Sequence, residues 1–163
     1  MRLVDQYINE YGSRVFGLSL KLCKNREDAE DLYQETWIKA YRFWSQYNDT
    51  KEFGAWIAGI CVNAYKDMLR RSKWRSLLAV FQTNEEKDYA IGSVPARQPE
   101  DHSEVRDAVN DLPEKYRLAT VLHYFNDLDI EKTAEILGLP AGTVKYHLHK
   151  AREILKVRLE TNG

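Results

Sequence analysis

The sequence is short of most of the features that assign a chain to a class at a glance. It has 2 cysteines, Cys23 and Cys61, in 163 residues, and no paired-cysteine motif. That excludes a disulfide scaffold and leads us to expect two ordinary buried thiols in a reducing compartment. With 4 prolines and 8 glycines, collagen and a chain disordered throughout are excluded as well. No apolar run approaches the roughly 20 residues of a membrane span. The N-terminal Met1-Arg2-Leu3-Val4-Asp5 lacks a signal-peptide core, so the expectation is a cytoplasmic protein that does not itself enter a membrane. Four histidines give no ligand set. His147 and His149 would point about 200° apart on a helix, and His102 and His123 have no ligand spacing, so neither metal nor cofactor is expected. There is no Gly-rich phosphate loop and no nucleophile–base pair to support catalysis. Nor does either sign of charge dominate: 24 Lys+Arg face 25 Asp+Glu, a net charge of −1. Taken whole, that balance disfavours a nucleic-acid binder.

What is present is helical periodicity on a globular composition, 44% hydrophobic and 30% charged. Val4, Ile8, Tyr11, Val15, Leu18 and Leu22 recur at i, i+3, i+4 spacing, the pattern of one buried helix face. A second helix starts near Glu27 with an acidic first turn, favourable at the positive helix end, and turns Leu32, Tyr33, Thr36, Trp37, Ala40 and Trp44 inward. A third runs from about Phe53 to Arg71 on Phe53, Ile57, Ile60, Cys61, Ala64 and Met68. Farther on, a helix near 104–111, one opened by Pro113 and reaching about Phe125, and two more are expected. No period-2 strand pattern appears, so the fold class is all-α.

Charge divides the chain where hydropathy does not. Residues 1–75 are net +3, residues 76–103 net −3, and residues 104–163 net −1. The middle stretch carries Gly92, Pro95 and Pro99 and reads as an acidic, flexible linker. Two small helical domains, 1–75 and 104–163, joined by the linker 76–103, are the expected architecture.

The most specific local signal is Asp129-Ile130-Glu131-Lys132-Thr133-Ala134-Glu135-Ile136-Leu137-Gly138-Leu139-Pro140-Ala141-Gly142-Thr143-Val144-Lys145. Asp129 can cap a helix, small Ala134 permits close helix approach, Gly138 permits the tight turn, and Val144 anchors the next helix. This is the helix-turn-helix pattern. At about 100° per residue, Val144, Leu148, Ala151 and Leu155 share one face, opposite Tyr146, His149 and Lys150, with Lys145 and Arg152 on a flank. Residues 141–158 are net +4. An exposed mixture of basic and hydrogen-bonding groups is what a major-groove recognition helix needs.

The N-terminal half shows two opposed surfaces. Residues 26–35 are net −4, and Asp31, Glu35, Ile38 and Arg42 form an outward stripe flanked by Gln34. The stripe repels DNA, and Ile38 within it fits a protein contact. On charge alone, an ordinary solvated face with one exposed apolar residue is the better account. Residues 51–75 are net +4, with Asn63, Lys66, Asp67 and Arg70 on one stripe, Arg71 beside it and Trp56 at its edge. Basic groups interleaved with aromatics suit melted or single-stranded nucleic acid, and the loop 45–52, with Tyr47 and Asn48, offers a ring and amides for an unstacked base. Trp56 fits either a stacking platform or plain core.

With these residues in view, the chain resembles a bacterial sigma factor of the extracytoplasmic-function (ECF) type within the sigma-70 family, over nearly its whole length. The run Asp28-Ala29-Glu30-Asp31-Leu32-Tyr33-Gln34-Glu35-Thr36-Trp37-Ile38-Lys39-Ala40-Tyr41-Arg42 resembles the region 2 helix that docks on the β′ coiled coil of RNA polymerase. The resemblance implies that Asp31, Gln34, Glu35 and Ile38 contact core polymerase. Phe53 to Arg71 resembles the segment that binds and opens the −10 element, which implies DNA contacts for Tyr47, Asn48, Trp56, Asn63, Lys66, Asp67, Arg70 and Arg71. Gly142-Thr143-Val144-Lys145 and Ala151-Arg152 match region 4, which reads the −35 element. That implies contacts from Thr143, Lys145, Tyr146, His149, Lys150 and Arg152. The chain departs from the family's pattern at Gly59, and within the reading surface at Lys132, Tyr146, His147 and Lys150.

The resemblance further implies core polymerase (β′ coiled coil and β flap) and promoter DNA as partners, an anti-sigma factor that holds the protein inactive and can sequester it at the membrane, and a linker lying in the polymerase channel. The rival reading is a stand-alone helix-turn-helix repressor or activator whose N-terminal half senses a ligand or dimerises. Two separate basic faces joined by an acidic tether favour the promoter-specificity subunit.

Overall fold

The structure, a computed structural model, describes residues 2–23, 25–48, 52–82 and 104–162. Residues 83–103 of the expected linker lie outside the described residues, as do Asp49, Thr50 and Lys51 of the expected base-capturing loop. The described residues form helices throughout: α1 (Arg2–Leu22), α2 (Arg26–Arg42), a 3-10 turn (Trp44–Gln46), α3 (Phe53–Gln82), α4 (Glu104–Asn110), α5 (Glu114–Thr120) continuing as a π-helical turn (Val121–Phe125), α6 (Ile130–Leu137) and α7 (Ala141–Asn162). None of them is long and apolar enough to cross a membrane.

Local chemistry accounts for where the helices begin and end. Asn25 caps α2 by accepting from the Asp28 backbone N–H at 2.8 Å, with Glu27 and Asp28 in the acidic first turn. Asp129 caps α6 in the same way, accepting from the Lys132 N–H at 2.7 Å. Gly138 ends α6 at φ +68°, a left-handed conformation that costs glycine little. The helix expected to stop near Arg71 runs on to Gln82. From Ser72 to Gln82 nothing breaks a helix, and the next glycine is Gly92. The drop in charge at residue 76 therefore marks no structural boundary.

The expected buried stripes are in place. Val15, Leu18 and Leu22 of α1, Leu32, Thr36, Trp37 and Ala40 of α2, and Phe53, Ile57, Cys61 and Ala64 of α3 are buried. So are Ala134, Val144, Leu148 and Ala151 of the helix-turn-helix. Both cysteines are free and buried, and burial pushes the Cys23 thiol up to about 12, so they act as small apolar groups. A second cluster centres on the Phe53 ring, which lies 4.2 Å from Tyr7, 4.8 Å from Tyr11, 5.4 Å from Tyr47 and 5.6 Å from Trp56.

The principal core does not respect the division into halves. Leu18, Leu22, Ala58, Cys61, Val62 and Tyr65 belong to one continuous cluster with Leu118, Val121, Leu122, Leu137, Val144 and Leu148. Each large apolar side chain so buried contributes about 1.5–3 kcal/mol, more than any exposed ion pair. The two halves expected as separate domains therefore pack against each other in this structure. Where α5 meets α3, Arg117 is only 3% exposed and donates from Nη2 to the Tyr65 hydroxyl at 2.7 Å. Burial pushes the Tyr65 phenol up to about 12, so it stays protonated and keeps a lone pair for the guanidinium.

His147 differs from its expected place in the reading surface. It is buried at 8% exposure, its ring T-shaped against Tyr116 at 5.4 Å, and its Nδ1 has no hydrogen-bond partner among the described residues. The reason is register: His147 follows Val144 by three and precedes Ala151 by four, which places it on the buried stripe.

Two outcomes test this packing. Tyr65→Phe leaves the buried guanidinium without its acceptor and should cost about 1–3 kcal/mol in urea unfolding, while pairing it with Arg117→Met should recover most of the loss. A double variant as unstable as Tyr65→Phe alone would contradict the bond's role. Burial, reinforced by the Lys115 ammonium, holds the His147 imidazole below its ordinary 6.5. The unfolded chain therefore takes up that proton first as pH falls. The His147 contribution is complete above 6.5 and declines as pH drops from there toward the lowered folded value. His147→Phe should flatten that slope in urea midpoints measured from pH 7.5 to 5.5; an unchanged slope would remove the assignment.

Candidate nucleic-acid interface

The acidic stripe of α2 forms one wall of an open groove of about 660 Å³. Asp31, Gln34, Glu35 and Ile38 line it from α2, and Met68, Leu69, Arg71 and Arg75 from α3. Ile38 is 51% exposed, an apolar contact point between carboxylates. Arg71 is here, on the acidic groove, rather than with Asn63 and Lys66, because one helical position turns it about 100° from Arg70.

The other side of α3 is basic and aromatic. Trp56 is half-buried, its ring 4.9 Å from Tyr47 and 5.9 Å from Trp44, so it is both part of the Phe53 cluster and accessible at its rim. Asn48 and Asn63 are exposed. Asp67 accepts from Lys39 at 2.5 Å and from Arg70. The hydrogen bond from Lys39 draws its carboxyl below the ordinary range, with Arg70 adding to the effect. Asp67 thereby ties α3 to α2 and orients the exposed Arg70 guanidinium. A carboxylate held in this way acts as a positioning group beside a basic strip.

On α7, Lys145 and Tyr146 are exposed, and Thr143 lies half-buried in the first turn. Lys145 makes no ion pair among the described residues. The other cations of this face have partners. His149 lies 3.1 Å and Lys150 3.4 Å from the Glu153 carboxylate, and Lys150 sits over the Tyr146 ring at 5.8 Å. Arg152 donates to the Tyr124 hydroxyl at 2.6 Å. Glu153 and Tyr124 were missed in the sequence. For Glu153, the i, i+4 and i, i+3 spacings to His149 and Lys150 were the available signal; for Tyr124, on the turn after α5, there was none.

The strips on α3 and α6 face one another. A cleft of about 500 Å³ is lined by Trp56, Gly59 and Asn63 on one side and by Lys132, Glu135 and Ile136 on the other. Lys132 pairs with Glu52 at 3.0 Å, and Lys66 Nζ reaches the Leu137 carbonyl at 3.5 Å. Gly59 and Lys132, two positions where the chain departs from the expected pattern, both sit on this seam.

Comparison with known proteins matches the two parts of the chain to two regions of one family. A family profile described as "Sigma-70 region 2" matches residues 7–75, and one described as "Sigma-70, region 4" matches residues 102–155. The ECF RNA polymerase sigma factor SigW of Bacillus subtilis is 29% identical, the match covering 93% of this chain and 86% of that protein. The ECF RNA polymerase sigma-E factor of Haemophilus influenzae is 30% identical over 94% of this chain and 85% of that one. Among solved structures, the sigma factor RpoE of Bartonella quintana, crystallised with the anti-sigma factor NepR, shares the fold at a TM-score of 0.82 and 22% identity, over the whole of both chains. With both regions present in order and relatives of the same group matched nearly end to end, the chain belongs to the ECF sigma factors of the sigma-70 family.

Proposed function

We propose that this sigma factor recruits core RNA polymerase through the α2 groove, holds the opened −10 strand along α3, and reads the −35 duplex with α7. One observation carries the reading: α3 separates an acidic, partly apolar groove from a basic, aromatic strip. A groove lined by Asp31, Glu35 and exposed Ile38 suits a protein partner with basic and apolar groups, such as the β′ coiled coil. Residues Tyr47, Trp56, Asn63, Lys66 and Arg70 suit unstacked bases and phosphates. Extruding a base costs about a few kcal/mol. Stacking on an aromatic recovers roughly 1–3 kcal/mol per base, so phosphate contacts from Lys66 and Arg70 are needed to tip the balance. A stand-alone repressor has no use for the acidic groove.

On this reading Lys145, Tyr146, His149 and Lys150 approach base edges, and Thr143 and Arg152 hold phosphates, the latter braced by Tyr124. The protein supplies promoter choice and strand separation, and RNA synthesis itself belongs to the polymerase, so we assign it no catalytic group. Region 4 also offers exposed Ile154 and Val157 on α7 to the β flap. The RpoE match, crystallised with the anti-sigma factor NepR, supports an anti-sigma partner for this factor as well.

Asp31→Arg with Glu35→Arg should weaken association with purified core polymerase by at least about tenfold, because like charges then meet across the contact. Retained affinity would remove the groove from the interface. Lys145→Ala should cost about 1–3 kcal/mol at −35 and relax the preference for one base, whereas Arg152→Ala should weaken all sequences evenly. Holoenzyme footprints on a set of −35 variants separate the two outcomes; identical effects would contradict the division of roles.

A further inference from the structure

We infer that Tyr146 and Glu153 are positioning residues for Lys150: together they aim its ammonium at one base edge, so that base choice on this part of α7 belongs to a three-residue unit and not to Lys150 alone. The inference rests on the assignment of Lys150 to the −35 base edges. A lysine by itself is a poor reader. Its ammonium is a point charge with three rotatable donors on a flexible four-carbon stem, and phosphate attracts it at every sequence. On α7 that freedom is restricted from two sides. The Tyr146 ring, one turn back, lies 5.8 Å from Lys150 Nζ, within cation–π reach. Glu153, one turn on, holds the same nitrogen at 3.4 Å. The Glu153 carboxylate, with Tyr146 adding to it, raises the ammonium above its ordinary 10.5. Both partners stand at the helical spacings, four back and three on, at which side chains meet.

The place of Glu153 points the same way. At about 100° per residue, it falls between His149 and Tyr146, in the middle of the exposed face of α7. A bare carboxylate there would repel phosphate. This one is engaged through both oxygens: Oε2 takes Lys150, and Oε1 lies 3.1 Å from His149 Nε2. Recognition helices set their N-terminal turns against the bases. Glu153 follows Tyr146 by about 10 Å of helix, beyond those turns, so it acts through the two side chains one turn before it. Tyr146 and Lys150 are also two positions at which the chain departs from the family's pattern, and the ring contact makes them one coupled change. Guanine suits the unit, because its N7 and O6 offer two adjacent acceptors in the major groove.

The test uses holoenzyme made from the full-length chain and purified core, bound to a promoter library with a fixed −10 element and every single base change at −35. The parent should favour guanine at one position, and Lys150→Ala should lower that preference about five- to hundredfold. Tyr146→Ala and Glu153→Gln should each lower it at the same position by about two- to fivefold, the range for an exposed cation–π contact or ion pair. In the Lys150→Ala background neither change should lower that preference further. Tyr146→Phe, which keeps the ring, should recover what Tyr146→Ala loses. On duplex with a scrambled −35, Glu153→Gln should steepen the slope of log affinity against log salt by about 0.9 for each cation it frees. A damaged helix would not give looser base choice together with a steeper salt slope. Losses in Tyr146→Ala or Glu153→Gln that spread over all positions, or that persist without Lys150, would overturn the inference. A Lys150→Ala holoenzyme that keeps the parent's base preference would contradict the assignment of Lys150 to −35 bases, and the inference would fall with it.

Discussion

Between Ala58 and Tyr65, α3 is buried against both halves of the chain at once, and the remaining surfaces take their positions from that constraint. Ala58, Cys61 and Val62 are at most 1% exposed. They sit in one cluster with Leu18 and Leu22 of α1, Leu32 of α2, and Leu118, Leu122 and Val144 of the C-terminal half. With its central stripe held in this way, α3 has only its flanks to offer. One flank, with Arg71 and Arg75, completes the acidic groove of α2; the other, with Trp56, Asn63 and Lys66, meets α6. A partner that needs the second flank has to act on the packing of the two halves.

Charge is organised by the same geometry. The net charge of −1 averages an acidic helix, two basic strips and an acidic linker. Ionic screening acts over about 8 Å at physiological salt, so these patches are sensed locally and the sum is not sensed at all. The basic strips are further tuned by internal carboxylates: Asp67 on Lys39 and Arg70, Glu153 on His149 and Lys150, Glu52 on Lys132. Each pairing places a cation and lowers its pull on loose DNA. For a subunit meant to engage promoters only as part of a larger enzyme, that restraint is useful. On the proposed reading, Lys145, which has no such carboxylate among the described residues, is the base-reading cation of α7 left least restrained.

Much of the fold was legible because its signals are local. The stripe spacing of α1, the acidic start of α2, the Asp129 cap and the Gly138 turn each depend on residues within a few positions of one another. The candidate site was read only through the resemblance, residue by residue onto α2, α3 and α7. What the sequence left hidden depends on packing across long separations. Arg117 reads as a surface cation, and only its neighbour Tyr65 makes it a buried donor. His147 lay in a motif read for its exposed face, although its spacing from Val144 and Ala151 was enough to place it inside. α3 runs past the expected Arg71 because no helix breaker follows Met68, the last expected position of its apolar stripe, until Gly92. The seam is built from residues whose stripes look complete within each half, so periodicity could not announce it.

The central claim is that this chain chooses promoters for RNA polymerase. It is tested most directly by transcription reconstituted from purified core enzyme, this chain and genomic DNA of the source organism, with the RNA 5′ ends sequenced. The account predicts starts, absent with core alone, that cluster downstream of one shared pair of −35 and −10 sequences. Starts indistinguishable from those of core alone would contradict it.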